Sequence, residues 1–423
     1  MKAGGEVHVI GAGLAGLSAA VRLAEAGKGV TVYEAAPNAG GRCRSFYDKR
    51  LDRIIDNGNH MVLSGNFSVM HYLDTIGAVN ELKGPKQAEF PFVDIGDNLF
   101  WTVRPDRGAI PWSVFKAERR VPGTSISDYL SVWRLFRASP IDTVSDCLAT
   151  EGAMWHHFWR PIIVSALNTN PASASATLLR NMLRETFGKG EAACRPLIAK
   201  HGLSQSFVDP ALAYLSGKGC KVRFNQRIRE ISSVGYNVTA IEATETVEIG
   251  KKDAVILAVP PVPAEQLVPD LLVPNVFQTI VNGHFRILGE LPETSLIGIV
   301  GGTAEWLFVR GDIVSVTISA ASKLSGQSEI EIADSMWADI RLVFGIDVSR
   351  RGPCRIIKEK RATFEQTPEQ VARRPTTMMG CANMFLAGDW INTGLPATLE
   401  GAVRSGIAAA NCALNHMEMS EAS

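Results

Sequence analysis

The chain has 423 residues, of which 46% are hydrophobic, and its 43 Lys and Arg residues equal its 43 Asp and Glu residues in number. This length allows about two or three domains with large apolar cores. Zero net charge argues against a nucleic acid or a strongly acidic partner. The seven cysteines include no C-x-x-C pair and no histidines at metal-ligand spacing, which predicts reduced thiols, a cytoplasmic location and no metal site.

The first predicted unit begins with an apolar run of strand length at residues 7–10. The run ends on Gly11, Gly13 and Gly16, which have the spacing G-x-G-x-x-G, and apolar residues at helical spacing follow until Gly27. A strand that passes into a helix through such a turn is typical of a nucleotide-binding unit. Gly11 permits the tight turn, Gly13 the approach of a pyrophosphate to the backbone, and Gly16 the contact between helix and strand.

A second predicted strand, residues 30–33, leads to Glu34, eighteen residues after Gly16. The Glu34 carboxylate can accept hydrogen bonds from the ribose hydroxyls of adenosine and would repel a 2′-phosphate. It therefore favours an adenine dinucleotide other than NADP. The N–H groups at the start of the helix, those of Leu14 and Ala15, are predicted to bind the pyrophosphate.

Two further segments favour FAD over NAD. The first contains Gly40, Gly41 and Arg42, which lie just beyond the second strand, where a longer dinucleotide would still be passing. A guanidinium matches the geometry of phosphate, so Arg42 is predicted to contact the phosphates or the flavin.

The second segment lies near the C-terminus. A short buried strand is predicted before Gly388 and Asp389, and Ala397 and Thr398 lie at the start of a helix that runs through Ala410. A helix N-terminus and a carboxylate suit the pyrophosphate, ribityl and flavin end of FAD. Asp389 is predicted to meet the ribityl chain or a phosphate-bound water.

Between these segments the pattern changes to helices rich in Trp, Phe, Leu and Arg. A helix over residues 128–137 would place apolar side chains along one side with Arg134 and Arg137 beside them, and three more aromatic residues follow closely. One interpretation is a surface that contacts lipid, and the other is a helical cap packed on its own core. The residues concerned are Tyr129, Leu130, Trp133, Phe136, Trp155, Phe158 and Trp159.

The remaining elements indicate where the chain returns to the cofactor domain. Residues 254–259 form a continuous apolar run, typical of a parallel strand buried on both faces, whereas four runs between residues 277 and 318 alternate like antiparallel strands. The predicted fold class is α/β: a Rossmann-like FAD-binding domain with an inserted, discontinuous α+β substrate domain of mixed sheet and helices. We assign residues 1–88, 201–265 and 380–423 to the FAD-binding domain and residues 89–200 and 266–379 to the substrate domain.

These segments resemble the flavin amine oxidase and phytoene desaturase superfamily and, within it, the hydroxysqualene dehydroxylases of hopanoid biosynthesis. The resemblance implies FAD, a polyisoprenoid lipid substrate and reduction of hydroxysqualene to squalene. It also implies cofactor contacts from Gly58, Asn59 and Ile228. It rests on GAGLAGLSAAVRLAEAG, GGRCRSF, residues 56–60 (DNGNH), Leu167-Asn168-Thr169, residues 282–286 (NGHFR), LAGDW and LPATLEGAVRSG.

Removal of an allylic hydroxyl requires a proton as well as a hydride, so the site needs an acid. His60 is the first candidate, because its motif lies at the flavin end in related folds. His284, on a strand predicted to form the floor of the pocket, is the second. A structural histidine that is hydrogen-bonded to the backbone is the alternative for both.

Two departures from the amine oxidase pattern favour an apolar substrate. The strand over residues 277–288 has no lysine, and Thr398 stands where those enzymes have an aromatic residue. Besides hydroxysqualene reduction, three hypotheses remain open: a phytoene-type carotenoid desaturase, a flavin amine oxidase and a non-catalytic lipid-binding flavoprotein. A lipid substrate also suggests peripheral contact with the inner face of the membrane, and the electron donor is not identified.

Overall fold

The computed structural model describes residues 5–291 and 296–422, and in that part of the chain the strands form five sheets. The two largest sheets differ in strand direction. One, here called the cofactor sheet, is parallel, and the other, here called the substrate sheet, is almost entirely antiparallel. An α/β fold with a second, mixed part is therefore confirmed.

The cofactor sheet has five parallel strands, and its central strand is the first of the chain. Val7 and Val9 on that strand are fully buried, and the neighbouring apolar run at residues 254–257 is buried throughout, which confirms the predicted parallel strand there. The strands come from three separate stretches of sequence, so the chain leaves this sheet and returns to it twice. In order across the sheet they are Lys221–Arg223, Gly29–Tyr33, Glu6–Ile10, Ala254–Leu257 and Met384–Leu386.

Four helices pack beside the cofactor sheet around one apolar core. The first and the last approach very closely, because a Cβ at Gly406 would lie 2.1 Å from the carbonyl oxygen of Ala15. The last helix ends at Ala422 and not at Ala410 as predicted, since Ala413 and Met417 continue its buried side. The four helices are Leu14–Glu25, Phe67–Thr75, Asp209–Gly217 and Leu399–Ala422.

The substrate sheet has seven strands and combines two distant parts of the sequence. Its strand Leu296–Val300 pairs in parallel with Phe90–Asp94, whereas the other pairs are antiparallel. The helix Glu329–Phe344, which Ser328 caps, packs on one side of the sheet. The strand order is Arg351–Phe364, Phe277–Ile287, Ile313–Ile318, Trp306–Arg310, Leu296–Val300, Phe90–Asp94 and Leu99–Val103.

Three small sheets and two short helices lie outside the cofactor sheet and the substrate sheet. A meander of three antiparallel strands precedes the return to the cofactor sheet, and a hairpin follows Arg44. The strands of the small sheets are Glu230–Val234, Asn237–Glu242, Thr246–Glu248, Ser45–Asp48, Arg53–Asp56, Met61–Leu63, Leu82–Lys83 and Pro196–Ala199; the helices are Pro261–Leu267 and Pro368–Ala372.

A bundle of short helices, here called the cap, has its own apolar core. The single helix predicted over residues 128–137 is divided into two consecutive short helices at Ser131, whose hydroxyl donates to the carbonyl of Asp128. Trp155 and Trp159 belong to the cap core, whereas Trp133 is 66% exposed. The cap helices are Ile126–Leu130, Val132–Phe136, Val144–Cys147, the π-helical turn Trp155–Trp159, Arg160–Leu167 and Ala176–Glu185.

Among the helices of residues 5–291 and 296–422, none combines the length and the apolar character needed to cross a bilayer. Within the same residues, no three or more His, Cys, Asp or Glu side chains are grouped in a way that could hold a metal ion.

Candidate cofactor and active site

The glycine turn after the first strand is shaped so that only glycine fits at two of its positions. Gly11 has a φ of +104°, and a Cβ at Gly16 would lie 1.9 Å from the carbonyl oxygen of Gly11. At Gly13, by contrast, a Cβ would meet no atom within 4 Å, so the backbone there is open to a ligand. The N–H groups of Leu14 and Ala15 donate to no described residue, which leaves the helix N-terminus free to bind an anion.

The second glycine segment lies directly against this turn. The Gly40 N–H donates to the carbonyl of Ala12 at 2.8 Å, and a Cβ at Gly41 would lie 3.5 Å from the Cα of Gly13. Both glycines have positive φ values, +101° and +56°. The two motifs that were recognised separately in the sequence therefore form one continuous backbone surface, and Arg42 follows it.

Glu34 lies at the end of the second strand, beside the turn. Its Oε2 accepts the N–H of Ala12 and its Oε1 accepts the N–H of Ala36, each at 2.8 Å. Because a carboxylate has about four lone-pair positions, both oxygens can still accept ribose hydroxyls. Ile228 is buried in the same apolar cluster as Tyr33, and Gln226 donates to the Glu34 carbonyl, so this segment also lies at the adenosine end.

Arg42 connects the first part of the site to the last. Its guanidinium donates to Oδ1 of Asp389 at 2.7 Å and to the carbonyl oxygen of Ala362. Asp389 beside it raises the pKa of Arg42, so the guanidinium is charged at any physiological pH. The Arg42 side chain remains 39% exposed and is accessible to a phosphate.

A buried arginine, which was not predicted as a site residue, holds the loop that contains Asp389. The guanidinium of Arg374, which is 5% exposed, donates to the backbone carbonyls of Asp389, Trp390, Ile391 and Leu395. Burial lowers its pKa to about 10. Because this single side chain satisfies four carbonyls, it fixes the path of the loop toward the last helix.

Thr398 caps the last helix: its hydroxyl accepts the N–H of Gly401 at 3.2 Å. The N–H of Ala397, predicted to contact the cofactor, instead donates to Oε1 of the fully buried Gln366 at 2.8 Å. The N–H groups of Leu399 and Glu400 donate to no residue in the described ranges. The free positive end of this helix therefore begins two residues later than the sequence suggested.

The segment Asp56 to His60, which belongs to the predicted FAD-binding domain, contacts the substrate sheet. Asn59 donates to the hydroxyl of Thr317 at 3.0 Å, and that hydroxyl donates to Asn282 at 2.9 Å. A Cβ at Gly58 would lie 3.3 Å from the amide nitrogen of Asn282, so the segment packs tightly there. Neither Asn282 nor Thr317 was predicted as a site residue, although Asn282 belongs to the motif at residues 282–286.

The two candidate histidines lie in different surroundings. The ring of His60 is partly exposed and makes no hydrogen bond with any described residue. Burial lowers its pKa to about 4, with the charges of Asp56, Arg42 and Asp389 close enough to modify it. These charged groups come from three separate segments, so His60 lies near the place where those segments meet.

His284 is fully buried inside the substrate sheet. Its Nδ1 lies 2.8 Å from the hydroxyl of Ser315, and its Nε2 has no partner among the described residues. Burial lowers its pKa also to about 4. Because no part of the ring is accessible, the structure does not bring His284 to a position where it could touch a substrate, and this argues against the second candidate.

The residues at the two ends fit a long dinucleotide. The Glu34 carboxylate and the start of the first helix adjoin the glycine surface, and Arg42, which follows that surface, contacts Asp389 in the loop that leads to the start of the last helix. FAD carries a ribose, two phosphates and a flavin in that order, so the donor set matches it from end to end.

Comparisons with known proteins agree with this fit. Residues 14–414 match the family model of flavin-containing amine oxidoreductases. The hydroxysqualene dehydroxylase of Zymomonas mobilis is 44% identical over 410 residues, covering 97% of this chain and 99% of the relative. That of Sinorhizobium fredii is also 44% identical, covering 97% and 98%. A probable zeta-carotene desaturase of Synechococcus elongatus is 22% identical, covering 96% and 98%.

The solved structure of cyclohexylamine oxidase from Brevibacterium oxydans superposes with a TM-score of 0.73 at 14% identity, covering 98% of this chain and all of the other. At that identity the similarity concerns the fold alone. The chain is an FAD-dependent oxidoreductase that belongs to the flavin-containing amine oxidoreductase family, in the same branch as the hydroxysqualene dehydroxylases.

Proposed function

We propose that the protein converts hydroxysqualene to squalene by reductive removal of the allylic hydroxyl, as a step in squalene and hopanoid biosynthesis. The observation that carries the proposal is the 44% identity, over almost the whole chain, to two hydroxysqualene dehydroxylases. A polyisoprenoid is accordingly the substrate class.

The reaction breaks one C–O bond and forms one C–H bond. FAD, when bound and reduced, supplies the hydride for the allylic carbon. The hydroxyl takes up a proton and leaves as water, so the protein must hold that hydroxyl beside a proton donor and keep bulk water away. Aromatic or negatively charged groups near the allylic carbon would stabilise positive charge that develops there.

We propose His60 as the residue that holds the hydroxyl and donates the proton. It is the partly exposed histidine beside the Arg42 and Asp389 pair, and its ring nitrogens have no other partner among the described residues. Its low pKa keeps it neutral until negative charge arrives nearby, and the phosphates of a bound dinucleotide are such a charge. The charged fraction of His60 would then be larger when FAD is bound.

We propose that FAD is held by the residues selected from the sequence, with one change. The N–H groups of Leu399 and Glu400 replace that of Ala397, because Gln366 already occupies the Ala397 N–H. The other members are Gly11, Gly13, Leu14, Ala15, Gly16, Glu34, Gly41, Arg42, Gly58, Asn59, Ile228, Gly388, Asp389 and Thr398. The FAD-binding domain would comprise residues 1–88, 201–265 and 380–423, and the substrate domain residues 89–200 and 266–379.

The alternatives are weaker on specific grounds. A carotenoid desaturase would run the redox reaction in the opposite direction, and the desaturase relative has half the identity of the hydroxysqualene dehydroxylases. An amine oxidase is disfavoured because the strand Phe277–Ile287 has no lysine and Thr398 is not aromatic. Nothing specific favours a non-catalytic lipid carrier.

We also propose that the protein works in the cytoplasm with peripheral contact with the inner face of the membrane. All seven cysteines are free thiols, which suits a reducing compartment. A polyisoprenoid of this length partitions into the bilayer, so an enzyme that acts on it must collect it there.

The test is an anaerobic single-turnover assay with chemically reduced holoenzyme. Hydroxysqualene should reoxidise the flavin and yield one squalene per flavin, measured by absorbance and mass spectrometry. The same enzyme in the oxidised state, given phytoene, should show no bleaching of the flavin. If squalene does not form, or if phytoene is desaturated, the proposed reaction is rejected.

A further inference from the structure

Exposed apolar side chains are concentrated in residues 110–141, which comprise the first helices of the cap and the turn Trp112–Phe115 that packs against them. Between residues 110 and 141, six large apolar side chains are more than half exposed, and Trp112, Trp133 and Ile141 reach 64%, 66% and 81%. Elsewhere in the described residues such side chains are scattered more thinly along the chain. We call this set the cap face: Ile110, Trp112, Phe115, Leu130, Trp133 and Ile141.

Local structure directs these side chains outward. In the helix Val132–Phe136, Leu135 is fully buried in the cap core, so Trp133 must point to the opposite side. In the turn Trp112–Phe115, Val114 is the buried residue, and Arg120 donates to its carbonyl at 2.8 Å. The exposure therefore follows from the fixed backbone of each turn and not from a loose loop.

Positive charge accompanies the cap face. Between residues 104 and 137 there are seven Lys and Arg residues against three Asp and Glu residues, in a chain whose total charge is zero. Five of these cations are exposed and form no salt bridge with an acid of the described residues. They are Arg107, Lys116, Arg119, Arg134 and Arg137.

We propose that the cap face docks on the surface of an anionic lipid bilayer, with its apolar side chains in the headgroup and acyl boundary and its arginines and lysine on lipid phosphates. Tryptophan with arginine or lysine is the combination expected for such an interfacial surface. The inference rests on the proposed function for the identity of the substrate, but the docking itself does not depend on it.

Another part of the cap contacts the loop that contains Asp389. Asn181 donates to the carbonyl of Gly394 at 2.9 Å, in the loop that leads to the last helix, and Arg180 donates to the carbonyl of Ala138 at 2.7 Å. The cap thus carries part of the cap face and also contacts the loop from Asp389 to Thr398. Docking by this face would place the source of an apolar substrate next to the cap, which contacts the loop at the proposed flavin end.

A second copy of the chain is a poorer occupant for the cap face. Two copies would bring five unpaired cations of each into one interface, and like charges brought together there repel. An anionic lipid surface neutralises those cations and buries the apolar side chains at the same time.

The experiment measures sedimentation of holoenzyme with vesicles of phosphatidylcholine, with and without phosphatidylglycerol. The wild type should bind more tightly to the anionic vesicles. The double variant Trp112→Ser with Trp133→Ser should lose about tenfold or more in binding to both kinds of vesicle, because binding scales with buried apolar area. The double variant Arg134→Gln with Arg137→Gln should lose about tenfold or more on anionic vesicles and little on neutral ones.

A matched control is available on the hairpin far along the chain, where Val234 and Tyr236 are 72% and 75% exposed. Changing both to Ser should leave vesicle binding unchanged. All variants should keep their FAD content and their activity on detergent-dispersed hydroxysqualene. The proposal is overturned if the wild type binds neither vesicle, if the control loses as much as the tryptophan variant, or if the wild type is a dimer that the tryptophan variant dissociates.

The two proposals fail separately. Vesicle binding that depends on the cap face, without any squalene produced from detergent-dispersed substrate, would reject the reaction and keep the docking surface. Squalene production by a protein that binds no vesicles would do the reverse.

Discussion

Arg42 and Asp389, which are 347 residues apart in the chain, form a salt bridge with an Nη2–Oδ1 distance of 2.7 Å. Arg42 follows the glycine surface beside the cofactor sheet, and Asp389 follows Met384–Leu386, the last strand of that sheet along the chain. The contact therefore joins the two ends of the polypeptide at the centre of the proposed FAD site.

This relationship predicts coupled effects on FAD affinity. Arg42→Ala and Asp389→Ala should each weaken FAD binding about tenfold or more, since each removes a charge-assisted hydrogen bond and leaves its partner unpaired. The double variant should bind FAD more tightly than the sum of the single losses implies. Titration of apoprotein with FAD measures all three, and Arg351→Ala, which breaks the Arg351–Asp334 pair of equal length, should leave the affinity unchanged.

Glu34 should control the retention of the adenosine half. Glu34→Ala removes the acceptor for the ribose and also frees the N–H groups of Ala12 and Ala36 that shape the turn. We expect about a tenfold or greater loss of FAD affinity, measured from the ratio of flavin to protein absorbance after purification. The exposed Glu245, changed to Ala in the same way, serves as the control. A Glu34 variant with full flavin content would contradict the ribose assignment.

Arg374 should be needed for both stability and cofactor binding. In Arg374→Lys a single ammonium group cannot satisfy four carbonyls, and we expect a loss of about 2–4 kcal/mol in the free energy of unfolding, together with weaker FAD binding. Thermal melting and flavin absorbance measure the two effects. Its neighbour Arg373 donates to only one carbonyl, that of Val273, so Arg373→Lys should change little.

The elements that could be predicted from the sequence are those specified by short-range patterns. The glycine turn, Glu34 and the buried strands depend on neighbouring residues, and the structure has the helix Leu14–Glu25 and the strand Gly29–Tyr33 where the spacing predicts them. The 14-residue strand Arg351–Phe364 was not predicted, because it is an edge strand with mixed charge and little alternation.

Other features depend on contacts between distant parts of the chain. The roles of Gln366 and Arg374 follow from carbonyls and N–H groups that only the folded loop brings to them. The helix predicted over residues 128–137 shows a different limit: an amphipathic pattern does not reveal which side is buried. There Leu135 packs in the core, while the aromatic side that a core interpretation would bury is exposed.

His60 should give the reaction a pH dependence of defined sign. With a pKa of about 4 in the cofactor-free chain, its ring would be protonated in only about one molecule in a thousand at pH 7, and negative charge from FAD raises that fraction. The rate of squalene formation should therefore fall as the pH rises above the His60 pKa of the holoenzyme. His60→Gln should lower the rate about a hundredfold and abolish this dependence, with unchanged FAD content.

The opposite result at His60 is equally informative. A His60→Gln enzyme that keeps the falling rate at high pH would assign the proton to another group. His284→Asn is the matched comparison, because that histidine is fully buried and should affect stability without changing the shape of the pH profile.

Glu305 should make stability depend on pH in the direction opposite to the buried histidines. It lines a cavity of about 190 Å³ beside Arg160 and Val164, and its Oε2 accepts the N–H of Ser319 at 2.8 Å. Burial raises its pKa to about 7 from an ordinary value of 4.5. Its folded pKa is thus above its unfolded pKa, so the stability it contributes is complete below pH 4.5 and is lost as the pH rises through 7.

Glu305→Gln removes that titration and keeps an oxygen that can accept the Ser319 N–H. The variant and the wild type should melt at similar temperatures near pH 4.5, and the variant should become the more stable by up to about 3 kcal/mol as the pH approaches 8. Thermal melting of the holoenzyme at a series of pH values measures the difference. A difference between wild type and Glu305→Gln that stays constant with pH would show that folding does not shift the pKa of Glu305.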